Sequence, residues 1–239
     1  MKSIILAAGF ATRLYPLTEN KSKSLLEING KPIINYIIDK IKEISSDEII
    51  IITNQKFYLD FLNWKEKSSY SDVIILNDGV SSLEKKLGAI GDLLFAINKQ
   101  GIQEDLFVIS GDNLFRYSLK EPKEIFEKEK KDLSIFYDLK NLEEATRMGV
   151  AQIKNNLIIN FQEKPSNPKS TLCSTSTYFF RKETIPLMKK YLEEPGSKDQ
   201  PGLFLEYLYK KVPVYAYQTE KKWIDIGTFE SLQEAQAEF

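Results

Sequence analysis

The residues Ile4-Ile5-Leu6-Ala7-Ala8-Gly9-Phe10-Ala11-Thr12-Arg13-Leu14 constrain this chain more than any other stretch. Residues 2–6 are apolar after Ser3 and end at Ala-Ala-Gly, which reads as a short interior strand of a parallel sheet. In open α/β sheets ligands bind beyond the carboxyl ends of such strands, where loops present unpaired backbone N–H groups. Gly9 lets the main chain approach a phosphate closely because no Cβ intervenes. Arg13 adds a planar cation with paired donors, suited to a polyphosphate.

Composition narrows the chemistry. The 239 residues include 33 basic and 34 acidic side chains, so there is no general field for nucleic acid or an anionic membrane, and any anion site is local. No run approaches the roughly 18 to 20 apolar residues needed to span a bilayer, and the first residues enter a strand instead of a leader. The expectation is a cytoplasmic protein. Cys173 is the one cysteine; it excludes an internal disulfide and reads as a small half-buried residue.

The chain contains no histidine, which removes the commonest general base, the hydrolase triad and the usual zinc ligand together. Transfer to a phosphate nucleophile fits better, because a phosphomonoester with a second pKa of about 6 is already largely ionised at pH 7. Arg13, Arg116, Arg147 and Arg181 are the only arginines. In a chain that otherwise uses lysine for positive charge, an arginine in the first loop is poor surface decoration.

The remaining pattern predicts a three-layer, Rossmann-like α/β fold: a mixed sheet with helices on both faces and a β-rich insertion. Gly30-Lys31-Pro32 leads into isoleucines at 33, 34, 37, 38, 41 and 44, one face of a helix with proline in its first turn. Strands are expected over 48–53, 73–76 and 106–109, with helices over 57–64 and 88–99 between them. From residue 133 strands follow at shorter spacing, over 133–139, 149–154, 157–163 and 174–181, with a turn at Asn155-Asn156; together they read as a β insertion laid over the parallel half. Helices over 184–194 and 201–211 flank the breaker cluster Pro195-Gly196-Ser197, a strand follows over 214–218, and Thr228 caps a last helix. One domain is expected over 1–239, in two halves at 1–130 and 131–239.

Leu6 to Gly9, Thr12 to Leu14, Pro16 to Thr18 and Lys23 resemble the signature of the sugar-1-phosphate nucleotidylyltransferases: Leu-Ala-Ala-Gly, Thr-Arg-Leu, Pro-Leu-Thr and a following lysine. Ala11 stands where that family usually has a second glycine, and Ser22 where it has proline. The resemblance continues to Thr228, without the helical extension or β-helix of longer members, so the chain is expected among the short forms. It implies a nucleotide-binding set of Leu6, Ala7, Ala8, Gly9, Thr12, Asn77, Gly88 and Ala89, with Gly88-Ala89 in register with a run that lets the nucleobase lie against the backbone. It makes Arg13 and Lys23 catalytic. Asp112 follows a buried strand with Gly111 giving close access, well placed to hold Mg²⁺ against phosphates; it matches the family's metal-binding aspartate, and Asp225, in Trp223-Ile224-Asp225-Ile226-Gly227-Thr228, matches the second ligand. Gly149, Glu163, Lys164 and Tyr178 correspond to the sugar-phosphate site, Glu163 accepting sugar hydroxyls and Lys164 binding the 1-phosphate.

The resemblance implies Mg²⁺-dependent transfer from a nucleoside triphosphate to a sugar 1-phosphate, giving an NDP-sugar and pyrophosphate. Family habit favours uracil or thymine. Two other readings stay open: cytidylyl transfer to choline phosphate or another alcohol phosphate, and a regulatory nucleotide-binding subunit without turnover. A nicotinamide oxidoreductase is disfavoured, because the first loop has one glycine where that fingerprint has three and no acid follows Thr53-Asn54.

Overall fold

Strands buried on both faces need a helical layer on each side. The computed structural model, which describes residues 1–44, 46, 48–194 and 200–239, supplies both. In chain order the strands are β1 (Lys2–Leu6), β2 (Glu27–Ile28), β3 (Lys31–Pro32), β4 (Glu48–Thr53), β5 (Ile74–Asn77), β6 (Leu106–Ser110), β7 (Asn113–Phe115), β8 (Asp132–Asp138), β9 (Gly149–Lys154), β10 (Leu157–Glu163), β11 (Leu172–Phe180), β12 (Val214–Thr219) and β13 (Trp223–Asp225). The helices are α1 (Ile33–Lys42), α2 (Tyr58–Lys67), α3 (Ala89–Gln100), α4 (Lys120–Glu129), α5 (Leu142–Ala145), α6 (Ile185–Glu193), α7 (Pro201–Leu208) and α8 (Phe229–Glu238). The breaker cluster Pro195-Gly196-Ser197 lies outside the described residues.

One nine-stranded sheet in the order β5-β4-β1-β6-β11-β8-β12-β10-β9 organises the chain. β5, β4, β1 and β6 are mutually parallel, so the loops after β1, β4, β5 and β6 all emerge at one edge. Alternate residues of each strand feed opposite layers. Ile5, Ile51 and Ile109 pack with Ile34, Ile37 and Ile41 of α1, Phe61 of α2 and Phe126 of α4. Ile4, Ile50 and Val108 pack with Leu93 and Ile97 of α3, Met188 of α6 and Phe204 of α7. Each such side chain, buried fully, contributes about 1.5–3 kcal/mol relative to exposure, which is why an unbroken apolar run is stable here.

The later strands differ from expectation in one respect. They do not lie across the parallel half; β11 pairs antiparallel with β6 in the register Thr177↔Ile109 to Phe180↔Leu106, and the sheet simply continues. The Asn155-Asn156 turn between β9 and β10 is present, with both residues at positive φ (51° and 60°). Asn29-Gly30, read as part of the approach to a helix, instead turns the β2–β3 hairpin, with φ of 49° and 79°, the conformation for which Asn-Gly is favoured. Cys173 is fully buried, not half-buried, and burial pushes its thiol up to about 12.

Asp132, at the start of β8, is 3% exposed. Its oxygens accept from the Arg181 amide and the Thr184 hydroxyl, both at 2.7 Å. Burial nevertheless outweighs those bonds and raises its carboxyl from 3.8 to about 6. A raised carboxylate binds its proton in the native state first, so its contribution to stability falls as pH rises from about 4 through about 6 and is flat above. Asp132→Asn is therefore expected to remove up to about 3 kcal/mol of the difference in unfolding free energy between about pH 4 and pH 7, measured by denaturant titration at both.

Candidate active site

β1 ends where the loop Ala7 to Thr12 begins, and its path is fixed from three sides. The Ala7 amide donates to Ile52 O at 2.9 Å, the Gly111 amide to Leu6 O at 2.8 Å, and the Asn54 side-chain amide to Ala8 O at 2.9 Å. Ala11 adopts the left-handed conformation (φ 49°, ψ 41°), which costs a residue with a Cβ roughly 1–2 kcal/mol. The fully buried Thr18 donates its hydroxyl to Ala11 O at 2.7 Å and helps to hold it there. Thr12 and Arg13 then open a short 3₁₀ turn.

Asp112 follows β6. Its carbonyl accepts from the Ile226 amide at 3.0 Å, and β13 runs antiparallel to β7 with Asp225 opposite Asn113. Backbone pairing thus sets Asp225 beside Asp112 although 112 residues lie between them in sequence. Lys23 Nζ lies 2.7 Å from Asp112 Oδ2. Burial, and next the Asp112 charge, raise the Asp225 carboxyl to about 6, while Lys23, Arg13 and Lys164 pull it the other way. The Arg13 guanidinium lies over Gly227, where an added Cβ would stand 3.4 Å from Nη2. Arg13, Lys23, Asp112, Asp225 and Lys164 are therefore neighbours.

A cleft of about 250 Å³ opens at this edge, and Leu6, Ala8, Gly9, Gly88, Ala89 and Asp112 line it. Ala7 is instead buried, Thr12 is the first residue of the turn, its main-chain carbonyl accepting from the Tyr15 amide at 3.3 Å, and the Asn77 side chain bonds Gln55 and the Gly79 amide. None of these three lines the cleft; Asp78, next to Asn77, does. A larger hollow of about 580 Å³ between α1 and α2 contains no residue singled out by sequence.

On the far side, Glu163 ends β10 and is held by two glycines. A Cβ at Gly149 would stand 2.6 Å from Glu163 Oε2, and one at Gly202, in the first turn of α7, only 1.7 Å from it. Burial raises the Glu163 carboxyl, with Lys164 opposing and Glu206 adding to the rise. Lys164 Nζ is 3.8 Å from Glu163 Oε1. Tyr178 sits in the core: it is 2% exposed, stacks on Phe180 at 5.3 Å, and its hydroxyl lies 3.4 Å from the Ser174 hydroxyl.

Sequence reading missed Asn54, Asp78, Asp92, Gly202 and Gly227. The signal for Asn54 was available, since a polar residue directly after a buried strand at the ligand edge has few other uses. Gly202 gave none, because its neighbour Glu163 is distant in sequence.

Fold and geometry together define a Rossmann-like α/β protein with one charged cleft at the carboxyl ends of its parallel strands. The profile of the nucleotidyl transferase family matches residues 2–239, and the chain belongs to that family. It is 30% identical over 230 residues to the bifunctional protein GlmU of Methanocaldococcus jannaschii, covering 95% of this chain and 51% of the relative, so it spans about half the length of that protein. It is 28% identical over 182 residues to the UTP–glucose-1-phosphate uridylyltransferase AglF of Haloferax volcanii, covering 75% of this chain and 72% of the relative. Among solved structures, a Bacillus anthracis protein assigned as a glucose-1-phosphate thymidylyltransferase, in complex with sucrose, superposes with a TM-score of 0.83 at 28% identity, covering 99% of this chain and 94% of that one. A UDP-glucose pyrophosphorylase complexed with UDP-glucose shares the fold, with a TM-score of 0.81 at 22% identity over 99% of this chain and 97% of that one.

The Gly202 contact gives a direct test. Gly202→Ala is expected to cost about 1–3 kcal/mol of stability by overpacking, measured by denaturant unfolding. The Glu163→Ala/Gly202→Ala double variant is expected to fall short of the sum of the single losses, because the clashing partner is gone.

Proposed function

We propose that this chain transfers a nucleotidyl group from a nucleoside triphosphate to a sugar 1-phosphate, with Mg²⁺, giving an NDP-sugar and pyrophosphate. The observation that carries the reading is the placing of Asp112 and Asp225 side by side among three cations. Two hard carboxylates fit Mg²⁺, which is usually bound through one or two such groups plus substrate phosphates and waters. When bound, the ion neutralises charge that otherwise repels the attacking phosphate.

The protein's own side chains do the rest by position and charge. Gly9 and its neighbours present main-chain groups to the triphosphate. Arg13 holds the β- and γ-phosphates and stabilises pyrophosphate as the bond to the α-phosphorus breaks. Lys23, which lies 2.7 Å from Asp112 Oδ2, would bind the α-phosphate or the leaving group, and Asp112 with Asp225 would hold the ion. Lys164 binds the incoming 1-phosphate, whose oxygen forms the new bond, and Gly149 and Glu163 face the sugar. No general base is required, because the nucleophile is already an anion.

Asp112→Asn and Asp225→Asn are each expected to lower Mg²⁺-dependent pyrophosphate release by roughly a hundredfold or more, with unchanged circular dichroism. Near-normal rates in either variant remove the assignment. Arg13→Lys is expected to raise the KM for nucleotide, because a point charge does not reproduce the guanidinium fork.

A further inference from the structure

Glu163 and Lys164 are delivered by a strand that keeps only one neighbour at its end. The ladder of β10 with β9 runs as far as Glu163↔Gly149, whereas its ladder with β12 is the single pair Leu157↔Tyr215 at the opposite end. Successive amides of an antiparallel strand point to alternate sides. The Lys164 amide points to β9 and donates to Met148 O at 3.0 Å, so the Glu163 amide points to the side where β12 no longer runs. A main-chain amide in such a place needs another acceptor.

Helix α7 supplies it. The helix runs alongside β10 in the reverse direction: Gly202 lies against the Glu163 carboxyl, Glu206 Oε2 accepts from the Glu163 amide at 3.2 Å, and the Tyr209 hydroxyl donates to Asn160 Oδ1 at 3.3 Å. Lys210 Nζ stands 3.5 Å from the other oxygen of Glu206, Oε1, which leaves Oε2 to the amide. A carboxylate accepting from an amide makes a stronger bond than a neutral acceptor does. The side chain of Glu206 thus takes the place of a neighbouring strand at the last residue of β10.

The residue that follows is held in an unfavourable shape. Lys164 has φ 49°, left-handed backbone that disfavours any residue with a Cβ, and such a residue persists only where its surroundings over-determine it. Two amide bonds on opposite sides of the chain do so here, Lys164 to Met148 O and Glu163 to Glu206 Oε2. We propose that Glu206 is a positioning residue for capture of the sugar 1-phosphate, acting through the Glu163 amide to hold the Glu163-Lys164 turn in its binding shape. The inference rests on the transferase reading, in which those two side chains meet the sugar and its phosphate; Glu206 acts through the main chain and not on the substrate.

The test compares Glu206→Gln, which keeps an acceptor oxygen, with Glu206→Leu, which does not, in Mg²⁺-dependent pyrophosphate release by the full chain. UTP, TTP, CTP, GTP and ATP are paired in turn with glucose 1-phosphate, mannose 1-phosphate and N-acetylglucosamine 1-phosphate, and the fastest pair is used. Glu206→Leu is expected to raise the KM for the sugar phosphate about tenfold or more, the scale of one lost hydrogen bond to a charged group. The KM for the triphosphate is expected to stay within about twofold of wild type, a split that general loosening of the fold would not produce, and Glu206→Gln is expected to restore most of the loss. An unchanged sugar-phosphate KM in a folded Glu206→Leu protein, an equal rise in both KM values, or a Gln variant as impaired as the Leu variant overturns the proposal and leaves the transferase reading standing. Hydrogen exchange at the Glu163 amide, followed by NMR, decides the matter if Glu206→Leu does not fold: an amide slow in both the wild-type and Glu206→Gln proteins supports the proposal, and a fast one in the wild type overturns it. Absence of pyrophosphate release from every pair overturns the transferase reading, and the proposal with it.

Discussion

Two carboxylates that repel each other are held together beyond the carboxyl ends of the parallel strands by main-chain hydrogen bonds. The β7–β13 ribbon fixes Asp225 opposite Asn113, and the Ile226 amide bonds the Asp112 carbonyl, so neither acid can retreat without breaking backbone pairing. The repulsion appears as the raised Asp225 carboxyl. Arg13 and Lys23, from the connection after β1, and Lys164, after β10, offset it.

Much of this was legible in residue order. A buried run that ends in Ala-Ala-Gly announces a parallel strand and a ligand-facing loop, and the isoleucine spacing from 33 to 41 announces α1; both depend on local periodicity alone. Asp112 and Asp225 could be singled out because each follows a strand within a recognisable motif. The Asn29-Gly30 hairpin carried a clear turn signal that the adjacent helix pattern overshadowed. What stayed hidden was contact between elements far apart in sequence: Glu163 against Gly202 and Arg13 over Gly227. No periodicity encodes these, because they depend on how the ends of separate elements come together in space. Tyr178 shows the converse, since an aromatic in such a strand reads the same whether it faces a ligand or the core, and here it is buried against Phe180.

The departure at Ala11 illustrates how a local conflict is absorbed. The loop needs a left-handed residue there, and alanine is a poor one. Thr18, seven positions on, donates to the Ala11 carbonyl, and Leu14 donates its amide to the same oxygen at 3.0 Å. The Pro-Leu-Thr part of the signature thus supports the loop's shape, while Arg13, two residues beyond Ala11, is presented outward.

The continuity of the sheet carries a mechanical consequence. Because β6 and β11 are joined by an unbroken ladder from Thr177↔Ile109 to Phe180↔Leu106, the halves carrying Asp112 and Lys164 share one stiff plate. Rotation of one half against the other would have to shear that ladder. Adjustment around a guest molecule is thereby left to the connections standing above the plate, the separate β7–β13 ribbon that carries Asp225 among them.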